Sequence, residues 1–338
     1  MSNYIITINA EQVYLSFGND PDRNVENIAV DSMATALIKQ LLREKFEPNK
    51  RHNMHLADAY QMTGMSNGTE KAVRLATCAR WLEFALPPEA EDKRYKIVKT
   101  SSCHVRLCPV CQWRRSLNTF RNLAQIYSAL SDYKHIFLTL TQTNVTGSEL
   151  AAEVKRISDA FTAMMRRKPW KDIVLGYTRT MEVTINNKDG TYHPHIHAIL
   201  TVPKSYGSKV YISQNKVCEE WQKALKLPYK PVCHIKMISK VDGKTVAEVA
   251  KYSVKPAEYI TDHLEKTAEI IKNLDPALDG RRFVSYSGIV RDVKQRLFSA
   301  ANLEDIETES IPQAEWENWE RVIYEWHFSE QKYKKITV

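Results

Sequence analysis

The sequence predicts an α+β fold built on an antiparallel sheet. Three observations support this prediction: short strand-like runs are mixed with helical patterns, two of these runs are separated by an Asp-Gly turn signal, and the helical patterns each carry an apolar face. At 338 residues the chain is long enough for two or three domains.

The elements follow one another along the chain. A helix is expected over residues 30–45 and a loop over residues 87–92. The middle of the chain then alternates, with strands predicted over 135–142, 176–185, 193–202 and 232–238, and helices over 148–167, 214–225 and 245–255.

The composition is that of a soluble globular protein, with 43% hydrophobic residues. The chain starts without the basic and apolar regions of an export signal, and no stretch approaches the roughly 20 apolar residues that span a bilayer. We therefore expect a cytoplasmic protein with no membrane partner. Six cysteines, two of them in a CxxC motif, fit metal binding in a reducing compartment better than a disulfide scaffold.

The net charge of +8 is unevenly distributed. Residues 93–121 contain eight Lys or Arg residues and no acid, with Tyr95, Trp113 and Phe120 among them, whereas residues 301–338 carry nine acids against four bases. A basic segment with interleaved aromatic residues is typical of a surface that binds a polyanion. A solvated basic face is the alternative.

Two histidines flank one apolar residue in the strand-like run His195-Ile196-His197. Alternate residues of a strand share a face, so the two imidazoles lie side by side, as half of a metal site or as ordinary packed histidines. If Asp189-Gly190 forms a two-residue type I′ turn, Glu182 faces His197 and joins both imidazoles, although a slip of one residue would turn Glu182 away. Such a His, His, Glu site suits Mg²⁺ or Mn²⁺, and its ligand types also suit Zn²⁺.

A second candidate segment follows in the predicted helix over residues 245–255. On such a helix Glu248, Tyr252 and Lys255 share one stripe, where Tyr252 is a candidate nucleophile and Lys255 a candidate source of positive charge. The alternative is structural, because Thr245 and Glu248 also have the spacing of a capping box.

Four cysteines have the composition of a closed zinc site: Cys78, Cys103, Cys108 and Cys111. His104 is an alternative to Cys78, and a set of free buried thiols is the alternative to zinc. Cys218 and Cys233 are expected to be small core residues. The zinc segment lies within the basic block, so three arginines on it are candidate contacts for DNA phosphates: Arg106, Arg114 and Arg115.

The C-terminal segment carries four large apolar residues at near-helical spacing, namely Trp316, Trp319, Ile323 and Trp326. We expect this segment to be helical and its apolar stripe either to pack on the protein or to dock on another subunit or protein.

Three motifs in order resemble those of the rolling-circle replication initiators of small bacterial plasmids, which belong to the HUH endonucleases. The motifs are residues 137–141, 193–197 and 248–255, and residues 103–116 resemble the cysteine-rich segment that precedes the catalytic domain in one branch of that family. The resemblance covers roughly residues 78–259.

This resemblance implies a five-stranded antiparallel sheet flanked by helices, with the metal-binding histidines on a central strand. It implies that Tyr252 attacks an origin phosphodiester to leave a 5′-phosphotyrosine and a 3′-OH that primes synthesis. His195 and His197 match the metal ligands, and Glu182 occupies the place expected for the third. Glu248 matches a glutamate that activates water at termination. One tyrosine lies in the motif, and Tyr259, seven residues on, is taken as structural.

The expected organisation is a DNA-binding region with a zinc knuckle over 1–130, a catalytic domain over 131–262 and a helical segment for oligomerisation or partner docking over 263–338. The expected partners are plasmid origin DNA, as a hairpin or a single strand, and a host helicase, polymerase and single-strand-binding protein in the bacterial cytoplasm. The alternatives are an HUH transposase or mobilisation relaxase, and a non-catalytic zinc-containing DNA-binding regulator.

Overall fold

The computed structural model describes residues 4–9, 12–17, 30–86, 95–208, 211–238, 241–251, 253–298 and 316–336, with the backbone alone up to residue 34. The predicted loop over residues 87–92 and the candidate nucleophile Tyr252 lie outside these residues.

Helices and strands are interspersed along the described chain. The helices are α1 (Val30–Leu41), α2 (Glu47–Met62), α3 (Gly68–Thr77), α4 (Pro109–Ala129), α5 (Gly147–Met165), α6 (Trp170–Ile173), α7 (Gln214–Leu225), α8 (Gly243–Val249), α9 (Pro256–Tyr259), α10 (Leu264–Leu278) and α11 (Gly288–Leu297), with a π-helical turn, Leu42–Phe46, between the first two. The strands are β1 (Tyr4–Asn9), β2 (Gln12–Phe17), β3 (Trp81–Leu86), β4 (Lys96–Thr100), β5 (Lys134–Leu140), β6 (Gly176–Asn186), β7 (Thr191–Val202), β8 (Cys233–Ile238), β9 (Val284–Ser287), β10 (Glu320–His327) and β11 (Lys332–Ile336). The predicted elements between residues 135 and 238 are confirmed to within two residues at each end, and α7 has the predicted bounds.

The chain divides into two compact units. One comprises residues 1–114 and 304–338, and the other comprises residues 115–303. The first unit contains a four-stranded antiparallel sheet in the order β11-β10-β3-β4. Strands from residues 81–100 and from residues 320–336, far apart in the sequence, therefore share one sheet.

The prediction of a helical C-terminal segment is wrong for residues 320–336, which form the hairpin of β10 and β11. Buried and less buried residues alternate along β10, and the buried ones are Val322, Tyr324 and Trp326. This strand period of two determines the structure here, in spite of the near-helical spacing of the tryptophans. Trp316 is buried against Ala85 and Val98, which supports packing as the role of the apolar stripe.

The second unit contains the five-stranded antiparallel sheet, in the order β8-β5-β7-β6-β9. This arrangement confirms the predicted α+β fold, and it places the strand of the two histidines at the centre of the sheet. The fifth strand, β9, and the helices on either side of it follow residue 262, so this unit runs beyond the predicted boundary of the catalytic domain.

Helix α5 covers one face of this sheet. Its buried apolar side confirms the predicted helical stripe, with Leu150, Ile157 and Phe161 among the residues that have no exposed surface. Arg179 of β6 points to this helix, because its guanidinium donates to Ser158 Oγ at 2.7 Å. Residues of β6 that alternate with Arg179, including Glu182, therefore face the opposite side of the sheet.

The hairpin of β6 and β7 differs from the predicted one. Asn186 pairs with Thr191 and Glu182 with His195, so four residues form the loop instead of two. Asp189 closes the longer loop by accepting hydrogen bonds from the Thr191 amide at 2.9 Å and the Thr191 hydroxyl at 2.6 Å. The pairing is displaced by two residues, and because side chains alternate with a period of two, Glu182 keeps the predicted face.

Within the described part of the chain, every helix is too short or too polar to cross a bilayer.

Candidate active site and metal centres

Three predicted ligands meet on the face of the sheet that α5 leaves uncovered. Glu182 lies directly across from His195 on the neighbouring strand, and its Oε2 is 3.5 Å from His195 Nε2 and 3.3 Å from His197 Nε2. The three ligand atoms lie within 4.8 Å of one another, and all three residues are buried. We call these residues the HHE cluster.

The outer nitrogens of both imidazoles have partners that turn Nε2 towards Glu182. His195 Nδ1 lies 3.1 Å from the carbonyl oxygen of His193, which can only accept, so Nδ1 donates there and Nε2 is the nitrogen left to face Glu182. His197 Nδ1 lies 3.2 Å from Thr139 Oγ1, and Phe137 stacks on the same ring. Such support on the distal nitrogen is typical of metal-binding histidines, and the donor set fits a divalent ion.

Electrostatics keep the third ligand ionised. Burial by itself raises the pKa of Glu182, but the hydrogen bonds and charges of His195 and His197 outweigh burial and hold this pKa well below its usual range. An ionised carboxylate between two imidazoles is the form that binds a cation.

Two further predicted residues lie beside the HHE cluster. Lys255 Nζ is 3.7 Å from Glu182 Oε1, and Glu248 Oε1 is 3.9 Å from His197 Nε2. Glu248 also pairs with Lys251 at 2.5 Å. The structure thus brings together the predicted Glu248, Lys255 and the three ligands.

The continuous helix predicted over residues 245–255 is wrong. Helix α8 ends at Val249, and Lys255 is extended, with ψ of 132°, as the residue before a helix that starts at Pro256. The ring of a proline disfavours helical geometry in the preceding residue, which explains why Lys255 is extended. Glu248 and Lys255 therefore reach the cluster from two separate segments rather than from one stripe.

The capping box predicted as an alternative role for Glu248 is also wrong. Asp242 caps α8, with its Oδ1 accepting hydrogen bonds from the Thr245 amide and the Thr245 hydroxyl, each at 2.8 Å. Glu248 takes no part in the cap, and its carboxylate lies beside His197. Tyr259 is fully buried, which agrees with a structural role.

The four predicted cysteines form a second cluster in the first unit. Cys78 Sγ lies 3.5 Å from Cys108 Sγ and 3.6 Å from Cys111 Sγ, and Cys103 Sγ lies 3.7 Å from Cys111 Sγ. Zinc bonds of about 2.3 Å in a tetrahedron place sulfur atoms about 3.8 Å apart, so the spacing fits a Cys₄ zinc site. Cys78, and not the alternative His104, completes the group.

The cysteine cluster is enclosed by buried groups. Burial, followed by the neighbouring thiols, raises the pKa of Cys108 well above its usual value, so without a metal the cluster resists ionisation. Cys111 donates its amide to Cys108 Sγ at 3.4 Å, as in a knuckle. No pattern in the sequence pointed to Lys50, which is fully buried and donates to the carbonyl oxygens of Ala76 and Cys78, each at 2.6 Å.

The three arginines predicted to contact DNA differ in exposure. Arg114 is buried and donates to Ser102 Oγ at 2.9 Å, so its guanidinium acts within the protein. Arg106 and Arg115 are half-buried. Cys218 and Cys233 are both buried, as expected of core residues.

Comparisons with known proteins show which proteins this chain is similar to. The family model described as "Replication protein" matches residues 94–334. A "Protein rep" of Lactiplantibacillus plantarum is 36% identical over 260 residues, covering 70% of this chain and 81% of that protein. A "Protein rep" of Lentilactobacillus hilgardii is 32% identical over 297 residues, covering 82% and 90%. A "Replication protein" of Staphylococcus aureus is 32% identical over 203 residues, covering 57% and 85%. No solved structure matches the chain.

Proposed function

The chain belongs to the Rep family of replication proteins, and from this we propose that it initiates and terminates rolling-circle replication of a plasmid by nicking and rejoining one strand at the origin. One observation carries the proposal: the HHE cluster lies beside Glu248 and Lys255 on one face of the five-stranded sheet. A site with imidazoles, carboxylates and an ammonium suits phosphoryl transfer.

In the proposed nicking step, the Tyr252 hydroxyl loses its proton as its oxygen bonds to the origin phosphorus, and the bond from phosphorus to the 3′ oxygen breaks as that oxygen takes up a proton. The products are a 5′-phosphotyrosine on the protein and a free 3′-OH that primes synthesis. The tyrosyl ester conserves the phosphodiester bond for rejoining, which attack by water would lose.

The other residues of the proposed site have separate roles. Glu182, His195 and His197 hold Mg²⁺ or Mn²⁺, which when bound supplies positive charge to a phosphate oxygen. Lys255 adds a second positive charge at the phosphate, and Glu248 accepts a proton from the water that acts at termination.

The remaining assignments concern DNA and partners. Cys78, Cys103, Cys108 and Cys111 hold a structural Zn²⁺, and Arg106 and Arg115 contact origin phosphates, with Arg114 supporting them from within. We assign DNA binding to the basic segment around the cysteine cluster, catalysis to the unit of residues 115–303, and docking of a second copy or of host replication proteins to exposed residues within 263–338. The reaction takes place in the bacterial cytoplasm.

The test uses single-stranded oligonucleotides that cover the replication origin, incubated with the protein and Mg²⁺ or Mn²⁺. The proposal expects a protein–DNA adduct that survives denaturation, and its loss in Tyr252→Phe. Tyr211→Phe is the matched control, since Tyr211 is 67% exposed. An adduct that persists in Tyr252→Phe would disprove the nucleophile assignment.

The same assay separates the alternatives. Binding of origin DNA without any adduct would identify a non-catalytic regulator. Cleavage at transfer origins or transposon ends, with none at the replication origin, would identify a relaxase or a transposase.

A further inference from the structure

The outer edge of β6 holds the segment that follows Tyr252. Val183 donates its amide to the carbonyl oxygen of Ser253 at 2.8 Å, and Ile185 donates its amide to Glu258 Oε2 at 3.0 Å. Amides of alternate residues point to the same edge of a strand, so both contacts lie on the edge that faces away from β7. Residues 253–258 therefore lie along the strand that carries Glu182.

Glu258 extends this contact towards the HHE cluster. Its second oxygen, Oε1, lies 3.6 Å from Lys255 Nζ, and Lys255 Nζ lies 3.7 Å from Glu182 Oε1. One ammonium thus lies between two carboxylates, of which one belongs to the HHE cluster and the other does not. The Glu258 side chain is only 19% exposed, against 50% for Lys255, so the acid is the more firmly placed of the two.

Glu258 reduces the competition between Lys255 and a metal ion for the Glu182 carboxylate. A lysine with Glu182 as its sole partner would compete with a metal ion for the same carboxylate. Glu258 offers Lys255 a second partner close by, so the ammonium can stay beside the cluster when Glu182 binds an ion. The fully buried neighbour Tyr259 anchors the short helix from which Glu258 projects.

We propose that Glu258 is a positioning residue, whose carboxylate holds the Lys255 ammonium beside the HHE cluster and attaches the nucleophile-bearing segment to β6. This inference rests on the proposed nicking function. Glu258 acts through Lys255 and contacts no substrate atom itself.

A double-mutant cycle tests the proposal. Glu258→Gln retains an oxygen that can accept from the Ile185 amide but removes the charge that holds Lys255. At saturating origin oligonucleotide and Mn²⁺, Glu258→Gln is expected to slow adduct formation about tenfold, with DNA affinity within about twofold of wild type. In a Lys255→Met background, the same change is expected to alter the rate less than about twofold, because the partner is already absent.

Two controls complete the design. Glu265→Gln, at an exposed position of α10, is expected to leave the rate unchanged, and circular dichroism checks that each variant is folded. A wild-type rate for Glu258→Gln, or a tenfold loss in both backgrounds, would overturn the positioning role. A wild-type protein that forms no adduct would instead overturn the nicking function, and the inference with it.

Discussion

The two oxygens of Glu182 have different partners. Oε2 lies within 3.5 Å of both histidine Nε2 atoms, whereas Oε1 faces Lys255 at 3.7 Å. The carboxylate therefore presents one oxygen to the histidine side of the cluster and the other to the ammonium. A metal ion held by this carboxylate would weaken its attraction for Lys255, and Glu258 is the second partner of the ammonium.

In the proposed mechanism, the role of Glu248 is separable from nicking. Its side chain is 36% exposed, so water can reach the carboxylate, and Oε1 lies near the HHE cluster at 3.9 Å from His197. Glu248→Ala is expected to form the adduct within about twofold of the wild-type rate but to release DNA by hydrolysis about 10² to 10⁴ times more slowly.

Denaturing gels that follow adduct and released strand over time provide the measurement, with Glu265→Ala as the exposed control. Unchanged release by Glu248→Ala would leave Glu248 with no role at termination.

At the scale of elements, the cap of α8 determines where Glu248 lies. Asp242 accepts the Thr245 amide and hydroxyl hydrogen bonds, and these bonds, the backbone one first, lower the pKa of Asp242. A lowered folded-state pKa means that the cap contributes its full stability above the unfolded value of about 3.9 and loses it as the pH falls through the folded value.

Asp242→Ala is therefore expected to lower the free energy of unfolding at pH 7 by about 1 kcal/mol, since the helix loses its N-cap. Urea denaturation measures the difference. Asp242→Asn keeps an acceptor at the cap and should lie within about 0.5 kcal/mol of wild type. Equal losses in both variants would mean that the side-chain cap contributes nothing specific.

The β6–β7 hairpin shows why the ligand set was predicted correctly although the predicted length of the loop was wrong. Asp-Gly signals a turn but leaves its length open, and the observed loop is two residues longer than a type I′ turn. A displacement of two residues preserves which side chains share a face, so Glu182 remained with His195 and His197. Helix α8 shows the opposite case, because the helical period in the sequence continues to Lys255 although the helix ends at Val249.

At the scale of the whole molecule, the two candidate metal clusters lie in different compact units. Their ligands also differ, with thiols in one and imidazoles and a carboxylate in the other, so they should bind different metals. Each cluster can therefore be emptied without touching the ligands of the other.

Metal analysis of purified variants tests this separation. The double variant His195→Ala/His197→Ala is expected to retain about one zinc per chain and to form no adduct, whereas Cys108→Ser is expected to lose zinc. Inductively coupled plasma mass spectrometry measures the zinc. Retention of zinc by Cys108→Ser would show that the cysteine cluster is not a zinc site.

The sequence by itself determined the local features of this protein. The alternation around His195 and His197, the apolar face of α5 and the Cys108-x-x-Cys111 spacing each depend on residues close together in the chain, and periodicity records such neighbours directly. These features were enough to predict the α+β fold and the candidate ligands, and they carry the resemblance to the replication initiators.

Only the tertiary structure decided which distant residues meet. It brought Cys78 to Cys108 across 30 positions, placed β10 beside β3, and set Lys255 between Glu182 and Glu258. Such contacts depend on how whole elements pack and on where a helix ends. The spacing of neighbouring residues determines neither of these.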